Sequence, residues 1–597
     1  MLDRRDVLKA GAAAAALAAT PAWARPAGSG LDTLFDSFFQ EGLQLRPESA
    51  TLLGFDKGAN AGLRAKLSDG SPAGQAAAKA LTQSQLKRLA AVDVAALTPA
   101  EKVSYDVVLY TRKAAAAAQA FDFGGGRSPY VISQQDGAYQ STPNFLDTKH
   151  PVDSVSDADA YLSRLAAFGT QLDDDTAQMK HDVAAGVVPP DFLIGKTLTQ
   201  LTAMRVPAAQ ATVVTSIQRR AAAKGLDAHY GKDAARIYDE RILPAIDRQI
   251  AAVKAVQGKA THDAGVWKLK EGDAFYRMAL EGSTTTRLSP EEVHQFGLDQ
   301  AKAIGDRIAQ LMDKAGLPAG PLGQRLASIY KLPGQVYPDT DDGKAQAIAF
   351  CNGRLDAIRG RLPEVFKRMP TYKFEVRRVP KEIEAGAASA YSQGPAIDGS
   401  RPGLVYFNLH DSAEWPKFML PTVVYHEGLP GHQFEGGLAL SNASLPLIRK
   451  SIGFSGYAEG WALYAEQVAA ELGMYDGDSL GEIGYLKEAL FRAHRCIIDT
   501  GLHHFRWSRE KAIALFVDGQ GEAPGFADRE IDRYCASPGQ ACSYKLGHAS
   551  IVKLRDRAKA VQGAKFDIKE FHEAVLANGR VPLEILEQLV GAWIGKA

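Results

Sequence analysis

The sequence has few cysteines for its length. Only four occur in 597 residues, and none belongs to a C-x-x-C pair: Cys351, Cys496, Cys535 and Cys542. A disulfide framework and a paired-cysteine zinc site are therefore excluded. Cys535 and Cys542 are near enough in sequence to form a disulfide in an oxidising compartment, and burial of both as small apolar side chains is the alternative.

Net charge and long apolar runs are also missing. Lys plus Arg and Asp plus Glu both total 69, which leaves no overall electrostatic footprint for nucleic acid. No segment reaches the roughly 20 apolar residues that span a bilayer, and no repeat with a solenoid period occurs. We therefore expect a soluble globular protein with no nucleic-acid partner and no membrane span in the mature chain.

The N-terminus carries an export signal. Arg4 and Arg5 form a twin-arginine pair, an Ala/Leu-rich run follows, and Ala22-Trp23-Ala24 is a small-x-small cleavage site. Together these features predict a twin-arginine signal peptide over residues 1–24 and a periplasmic or secreted protein. That route carries folded proteins, often with a cofactor already inserted.

The rest of the chain is predicted to be mainly α-helical. Thr98-Pro99-Ala100-Glu101 and Ser289-Pro290-Glu291-Glu292 each combine an N-cap, a Pro at N1 and a Glu at N3, which is the capping box of a helix start. We expect an N-terminal helical lobe over residues 25–288 and a C-terminal catalytic lobe over residues 289–597. Further helical periodicity covers 158–185, 230–255, 448–473 and 481–505.

The exception lies near residues 372–409. "YKFEVRRVP" alternates in side-chain character, and "GLVYFNL" is a short β-prone run beyond a Gly/Ser/Pro-rich stretch. This pattern predicts a small antiparallel β element.

The stretch "YHEGLPGHQFE" resembles an interrupted zinc-binding helix. His426 and His432 are six residues apart, which on a straight helix would separate them by about 240° and ~9 Å along the axis. They could share a metal only if the helix breaks between them. Pro430 and its flanking glycines favour such a break, which we place at Leu429–Gly431.

Carboxylates complete the pattern of a hydrolytic zinc site. Glu427 follows the first His directly, where the general base of H-E-x-x-H peptidases stands. Glu459 near the start of the next long helix is the candidate third ligand, and Glu466 on the same face is a supporting carboxylate. A His-Glu pair with another His nearby also occurs by chance, so this pattern alone leaves metal binding open.

Five segments together resemble a bacterial family known as domain of unknown function eight-eight-five. They are "YHEGLPGHQFE", "SGYAEGWALYAE", "RAHRCIIDTGLHHF", "WSREKAIALF" and "PGQACSYKLGHASIVKLR". The likeness runs from about Ala390 to the C-terminus, with weaker likeness upstream. Members are similar to gluzincin-type zinc metallopeptidases, which implies a mainly helical, two-lobed fold of the thimet or angiotensin-converting type. This chain has Gln433 where the family pattern usually has a second His.

The resemblance implies roles for particular residues. His426, His432 and Glu459 would be Zn²⁺ ligands, Glu427 the catalytic base, and Tyr544 a donor to the oxyanion, although a core tyrosine is an equal alternative for Tyr544. Substrate-binding candidates, each with a structural role as the alternative, are Arg529, Arg533, Lys545, His548 and His503.

The predicted function is zinc-dependent hydrolysis of peptide bonds in short peptides, by a carboxypeptidase or an oligopeptidase. Glu427 would activate water with the metal and return the proton to the leaving group. Two alternatives stay open: a zinc hydrolase or lyase acting on a non-peptide amide, and a catalytically inactive periplasmic binding protein.

Overall fold

The computed structural model is mainly helical, as predicted, and describes residues 30–379, 381, 384, 390–394 and 402–595. The predicted signal peptide lies outside the described residues. The helices before the sheet are α1 (Gly30–Leu45), α2 (Pro47–Leu53), α3 (Pro72–Ala90), α4 (Pro99–Ala118), α5 (Ala138–Thr148), α6 (Val155–Ala184), α7 (Asp191–Met204), α8 (Thr212–Ala223), α9 (His229–Ile237), α10 (Leu243–Val256), α11 (Gly272–Thr284), α12 (Pro290–Lys314), α13 (Leu322–Ile329) and α14 (Asp341–Arg361). Those after it are α15 (Leu420–Glu427), α16 (His432–Ser441), α17 (Leu447–Ser451), α18 (Ser455–Glu471), α19 (Ser479–His503), α20 (Arg509–Gln520), α21 (Pro524–Ala536), α22 (Ser543–Gln562), α23 (Ile568–Leu576) and α24 (Leu583–Ile594).

Both predicted capping boxes are confirmed. The Thr98 hydroxyl accepts from the backbone N–H of Glu101, whose carboxylate accepts in return from the N–H of Thr98. Ser289 and Glu292 make the same reciprocal pair at the start of α12. Each box satisfies two backbone donors that a helix start otherwise leaves unpaired.

One predicted helix is divided. Residues 448–473 form α17 and α18, separated by Ile452 and Phe454 in extended conformation with Gly453 between them. A glycine beside a β-branched residue lowers helix propensity at this point. The other three periodic segments are helical over most of their length.

The predicted antiparallel β element is a mixed sheet, so that prediction was wrong in topology. The strands β1 (Phe374–Arg378), β2 (Ala390–Gln393) and β3 (Gly403–Phe407) lie in the order β1-β3-β2. β3 pairs parallel with β1 and antiparallel with β2. The long segment between β1 and β3 allows the crossover that parallel pairing requires.

The apolar core forms several clusters. One is built from residues between Ile132 and Val256, and the largest combines α12–α14, the sheet and most of the C-terminal helices. A third joins side chains between Tyr130 and Val293 to others between Phe491 and Leu546. The division of the chain between residues 288 and 289 stays a prediction.

Cys535 and Cys542 are free, buried thiols in the structure. This arrangement agrees with the alternative of burial as small side chains. Among the described helices, none combines the length and the apolar character needed to cross a membrane.

Candidate metal centre

The helix carrying His426 breaks, as the sequence predicted. α15 ends at Glu427 and α16 begins at His432, with a cis Leu429–Pro430 peptide between them. A Cβ on Gly431 would lie 1.8 Å from the carbonyl oxygen of His426, so only glycine fits this turn. The turn is anchored by Trp461, whose indole N–H donates to the carbonyl of Pro430 at 2.9 Å.

The break brings the three predicted ligands together. The His426 and His432 rings lie 4.9 Å apart between centroids, perpendicular to each other. Glu459 Oε2 lies 3.3 Å from His432 Nε2 and 3.6 Å from His426 Nε2. One ligand atom from each residue falls within 4.8 Å of the others. The convergence is observed, and the role of these residues as zinc ligands stays a prediction.

Glu466 holds the outer nitrogen of His426. Its Oε1 lies 2.7 Å from His426 Nδ1, and its side chain is only 1% exposed. His426 Nε2 faces Glu459, so a metal bound at Nε2 would leave the ring proton on Nδ1, which donates to Glu466. A carboxylate behind a ligating imidazole fixes the tautomer and the ring orientation that metal binding needs.

The protein's own charges favour ionised groups in this cluster. Burial opposes protonation of His426, but Glu459 and Glu466 outweigh it and raise its pKa to about 10. Burial also works against the Glu459 carboxylate, yet the two imidazoles hold its pKa well below the usual range. Burial raises the pKa of Glu466. The Glu459 carboxylate is therefore balanced by the protonated ring of His426, and a bound cation would replace that proton as the counter-charge.

Glu427 is oriented by the sheet. Ser392 Oγ on β2 lies 2.9 Å from Glu427 Oε2 and 2.8 Å from the Glu427 carbonyl oxygen. A serine hydroxyl has one proton, so it donates to one of these acceptors at a time. The contact places the predicted base at the edge of β2, next to His426 in the chain.

Tyr544 lies beside the cluster on α22. Its ring is nearly parallel to that of His426, with centroids 6.3 Å apart. The guanidinium of the buried Arg495 lies 4.1 Å from the Tyr544 ring centroid. α22 reaches this position by direct backbone contact with α18, because a Cβ on Gly547 would lie 1.9 Å from the carbonyl oxygen of Gly456.

Two predicted substrate-binding arginines lie in ordinary polar contacts. Arg529 is exposed and pairs with Glu414 at 3.4 Å. Arg533 pairs with Glu530 at 3.4 Å and donates to Gln540 at 2.9 Å. These contacts agree with their structural alternative, and a substrate-binding role stays a prediction.

His503 lies in the core, and this position does not support the predicted role in substrate binding. It is 0% exposed, and its Nε2 lies 3.0 Å from the carbonyl of Tyr534. Its Nδ1 accepts from the backbone N–H of Val266 at 3.2 Å, so both ring nitrogens are used. Burial lowers its pKa to about 4, which keeps the ring neutral.

Lys545 and His548 point to a different space. Both line a cavity of about 540 Å³ whose described lining does not include His426, His432 or Glu459. The structure therefore places these two candidates in a cavity whose described lining excludes the candidate ligands.

Sequence reasoning missed three residues that shape the site. Gln433 Nε2 donates to the carbonyls of Gln393 and Leu404 and so ties α16 to β2 and β3. The departure of Gln433 from the family pattern was a signal for this position. Ser392 and Arg495 had no comparable signal, because their contacts join segments far apart in the chain.

Comparison with known proteins identifies the export signal but no curated relative. A model of a twin-arginine translocation signal matches residues 1–21, so the protein is exported by that route to the periplasm or outside the cell. No curated protein matches the chain.

Solved structures resemble the chain over nearly its whole length. A "putative lipoprotein" from Colwellia psychrerythraea is 30% identical, with a TM-score of 0.91 over 95% of this chain and 99% of that one. A "putative lipoprotein of unknown function" from Shewanella oneidensis is 18% identical, with a TM-score of 0.71 over 94% and 100%, and it shares the fold.

A "putative oligoendopeptidase F" from Bacillus anthracis reaches a TM-score of 0.30 at 14% identity, over 96% of this chain and 97% of that one. That similarity is too low to carry an inference. The family model described as a bacterial protein of unknown function matches residues 47–590. Because this match spans far more than half of the chain, the protein belongs to the bacterial family of unknown function DUF885.

Proposed function

We propose that the protein is a zinc-dependent hydrolase that cleaves peptide bonds in short peptides, with the two-lobed helical layout of thimet- and angiotensin-converting-type peptidases. The observation that carries the proposal is the convergence of His426, His432 and Glu459 within 4.8 Å, with Glu427 adjoining. Two imidazoles and one carboxylate with an open fourth position form the ligand set of hydrolytic zinc sites.

The residues present fit a zinc ion. The donors are two imidazole nitrogens and a carboxylate oxygen, and Glu466 buries a carboxylate behind His426 at 2.7 Å. Its second oxygen, Oε2, is buried without a hydrogen-bond partner among the described residues. When bound, zinc supplies a Lewis acid that acidifies water and polarises a carbonyl.

Glu427 is the base in this proposal. Ser392 holds Glu427 Oε2, which leaves Oε1 to take a proton from water and to return it to the leaving nitrogen. A base that hands over protons in this way needs a fixed orientation, and the contact with β2 provides it.

Tyr544 is the proposed donor to the developing oxyanion. Its ring lies beside the ring of His426 and packs against the guanidinium of Arg495, which restricts its rotation next to the candidate ligands. A preorganised O–H donor aimed at developing negative charge lowers the barrier of acyl transfer.

The sheet favours a peptide substrate. β2 pairs on one side with β3 and is an edge strand of the described sheet, and it carries Ser392, the partner of Glu427. An extended peptide can add to such an edge by main-chain hydrogen bonds. This addition would lay a substrate bond alongside the base.

The decisive experiment combines metal analysis with digestion of a peptide library read by mass spectrometry. We expect one zinc per chain in the wild type and cleavage of short peptides. Glu427→Gln should keep zinc and lose activity by about 10²- to 10⁴-fold. The exposed Glu587→Gln on α24 is the matched control and should leave both unchanged.

A wild-type protein without stoichiometric zinc would contradict the proposal, as would a Glu427→Gln variant that hydrolyses as fast as the wild type. If the protein binds zinc but cleaves only non-peptide amides, the proposed substrate class is wrong and the proposed metal centre stands.

A further inference from the structure

A cavity of about 540 Å³ lies beside the helix that carries Glu459. Its walls come from α12, α18, α19 and the N-terminal turns of α22. The volume is in the range of sites that enclose small molecules, which is about 300–1,000 Å³. Because the candidate ligands are not part of its described lining, the cavity is a space distinct from the metal centre.

Lys545 is the buried charge of this cavity. Its side chain is 3% exposed, and its Nζ lies 3.4 Å from His548 Nδ1. His548 Nε2 lies 2.9 Å from Gln467 Oε1, and the orientation of that amide is set by its Nε2, which donates to Glu471. An amide oxygen only accepts, so His548 Nε2 carries the proton and Nδ1 accepts from Lys545.

Lys545 has donors left over. An ammonium group has three N–H bonds, and His548 accepts one of them. Within the part of the chain that the structure describes, Lys545 forms no ion pair and no other hydrogen bond. The Glu466 carboxylate is near enough for its charge to act on Lys545, but its Oε1 is taken by His426 and it forms no ion pair with Lys545. A buried ammonium without a directly paired counter-charge is costly, and such groups in proteins are normally paired.

The other charged groups of the lining do not supply the missing partner. Arg307 and Glu482 pair with each other at 3.0 Å, and Glu471 pairs with Arg555 at 2.7 Å. Asp476 is exposed at the rim. Lys545 also stands in the first turn of α22, where the helix dipole adds positive potential.

We propose that this cavity binds a small molecule through an oxyanion, either a carboxylate or a phosphate, that Lys545 holds by a charge-assisted hydrogen bond. The two unused N–H donors of Lys545 match the acceptor-rich oxygens of such a group. The cavity is larger than a bare anion, so the remainder of the ligand fills the space between α12 and α18. This site goes beyond the proposed hydrolysis and does not depend on it.

Calorimetric titration of EDTA-treated protein with inorganic phosphate and, separately, with acetate tests the proposal, with ionic strength held constant by chloride. We expect saturable binding of at least one anion by the wild type. Lys545→Met should weaken it about tenfold or more, which is the loss of one hydrogen bond to a charged group. Lys553→Met, an exposed change on the same helix, should leave it unchanged.

The two anions separate the possible ligands. Saturation by phosphate alone assigns a phosphate ligand, and saturation by acetate alone assigns an organic acid. Phosphate held by a cation at His426 and Glu459 would disappear on EDTA treatment, so that contribution is removed beforehand. Lys545→Gln is a second variant that keeps a polar group if Met disturbs packing.

The proposal is overturned if neither anion binds saturably to the wild type, or if Lys545→Met and Lys545→Gln bind as tightly as Lys553→Met does. Failure of the peptidase assay would leave this result unchanged, because the titration uses neither metal nor substrate.

Discussion

Glu466 accepts a hydrogen bond from Nδ1 of His426 across 2.7 Å in a fully buried contact. The two residues lie on different helices, α15 and α18, and α18 also carries Glu459. One helix therefore supplies both a candidate ligand and the group that orients another candidate ligand.

We expect Glu466→Gln to weaken zinc binding about 10- to 100-fold, the usual effect of changing a carboxylate behind a ligating imidazole. Gln can still accept from His426, but it lacks the charge that makes the imidazole a stronger donor to the metal. Competition with a chromogenic chelator measures the affinity. Glu587→Gln is the control, and equal affinities for the two variants would contradict this role.

Gly431→Ala should disrupt both the fold and the centre. Its Cβ would lie 1.8 Å from the carbonyl oxygen of His426 and 2.4 Å from that of Tyr425, so the turn must open. We expect a loss of about 3 kcal/mol or more in the free energy of unfolding, measured with urea on EDTA-treated protein, together with loss of stoichiometric zinc.

Gly436→Ala is the matched control, since it lies in α16 with its nearest contact at 3.6 Å, on the flexible end of Arg580. Alanine has the higher helix propensity, so this change should be neutral or stabilising by up to about 1 kcal/mol. Similar losses in the two variants would show that the Gly431 turn is not required.

Ser392→Ala should lower kcat about tenfold with little change in KM. The change removes one hydrogen bond to a charged carboxylate, worth about 1.5 kcal/mol, and frees Glu427 to rotate. Steady-state kinetics on a peptide identified from the library give both constants. Ser441→Ala, an exposed change on α16, should leave them unaltered, and a rise in KM with kcat unchanged would point to a role of Ser392 in substrate binding instead.

The stability of the protein should respond to pH through Lys545. Burial lowers the pKa of its ammonium from the usual 10.5 to about 8. Between about 8 and 10.5 the unfolded chain binds the proton and the folded chain does not, so stability rises with pH across that window. This gain in the free energy of unfolding is complete above pH 10.5 and is lost as the pH falls toward 8.

Lys545→Met should remove this dependence. We expect the variant to be more stable than the wild type at pH 7, with the difference shrinking as pH rises to 10.5, in urea titrations without anions. A difference that is constant over that window would mean that Lys545 stays charged when it is buried.

Local chemistry made part of this structure predictable. The capping boxes at Thr98 and Ser289 depend on contacts three residues apart, and both are present. The break at Pro430 depends on the proline itself and on the nearby Gly428 and Gly431. In each case the residues that decide the conformation are adjacent in sequence.

Long-range pairing was less predictable. The parallel pairing of β1 with β3 follows from a crossover that no local pattern shows. His503 looked like a polar candidate because it stands in "TGLHHF", part of a segment that resembles the family, but its environment is set by Tyr534 and Val266. Arg495 was unremarkable in sequence and became part of the site only when α19 packed beside Tyr544.

The three candidate ligands all lie between His426 and Glu459, on three helices (α15, α16 and α18) of one short segment. Such a segment closes on itself early in folding, because few residues must be ordered to bring its ends together. The chain bears a signal for the export route that carries already folded proteins. If the proposed centre binds a metal, the divalent ion would then enter it in the cytoplasm, before the protein is exported to the periplasm or outside the cell.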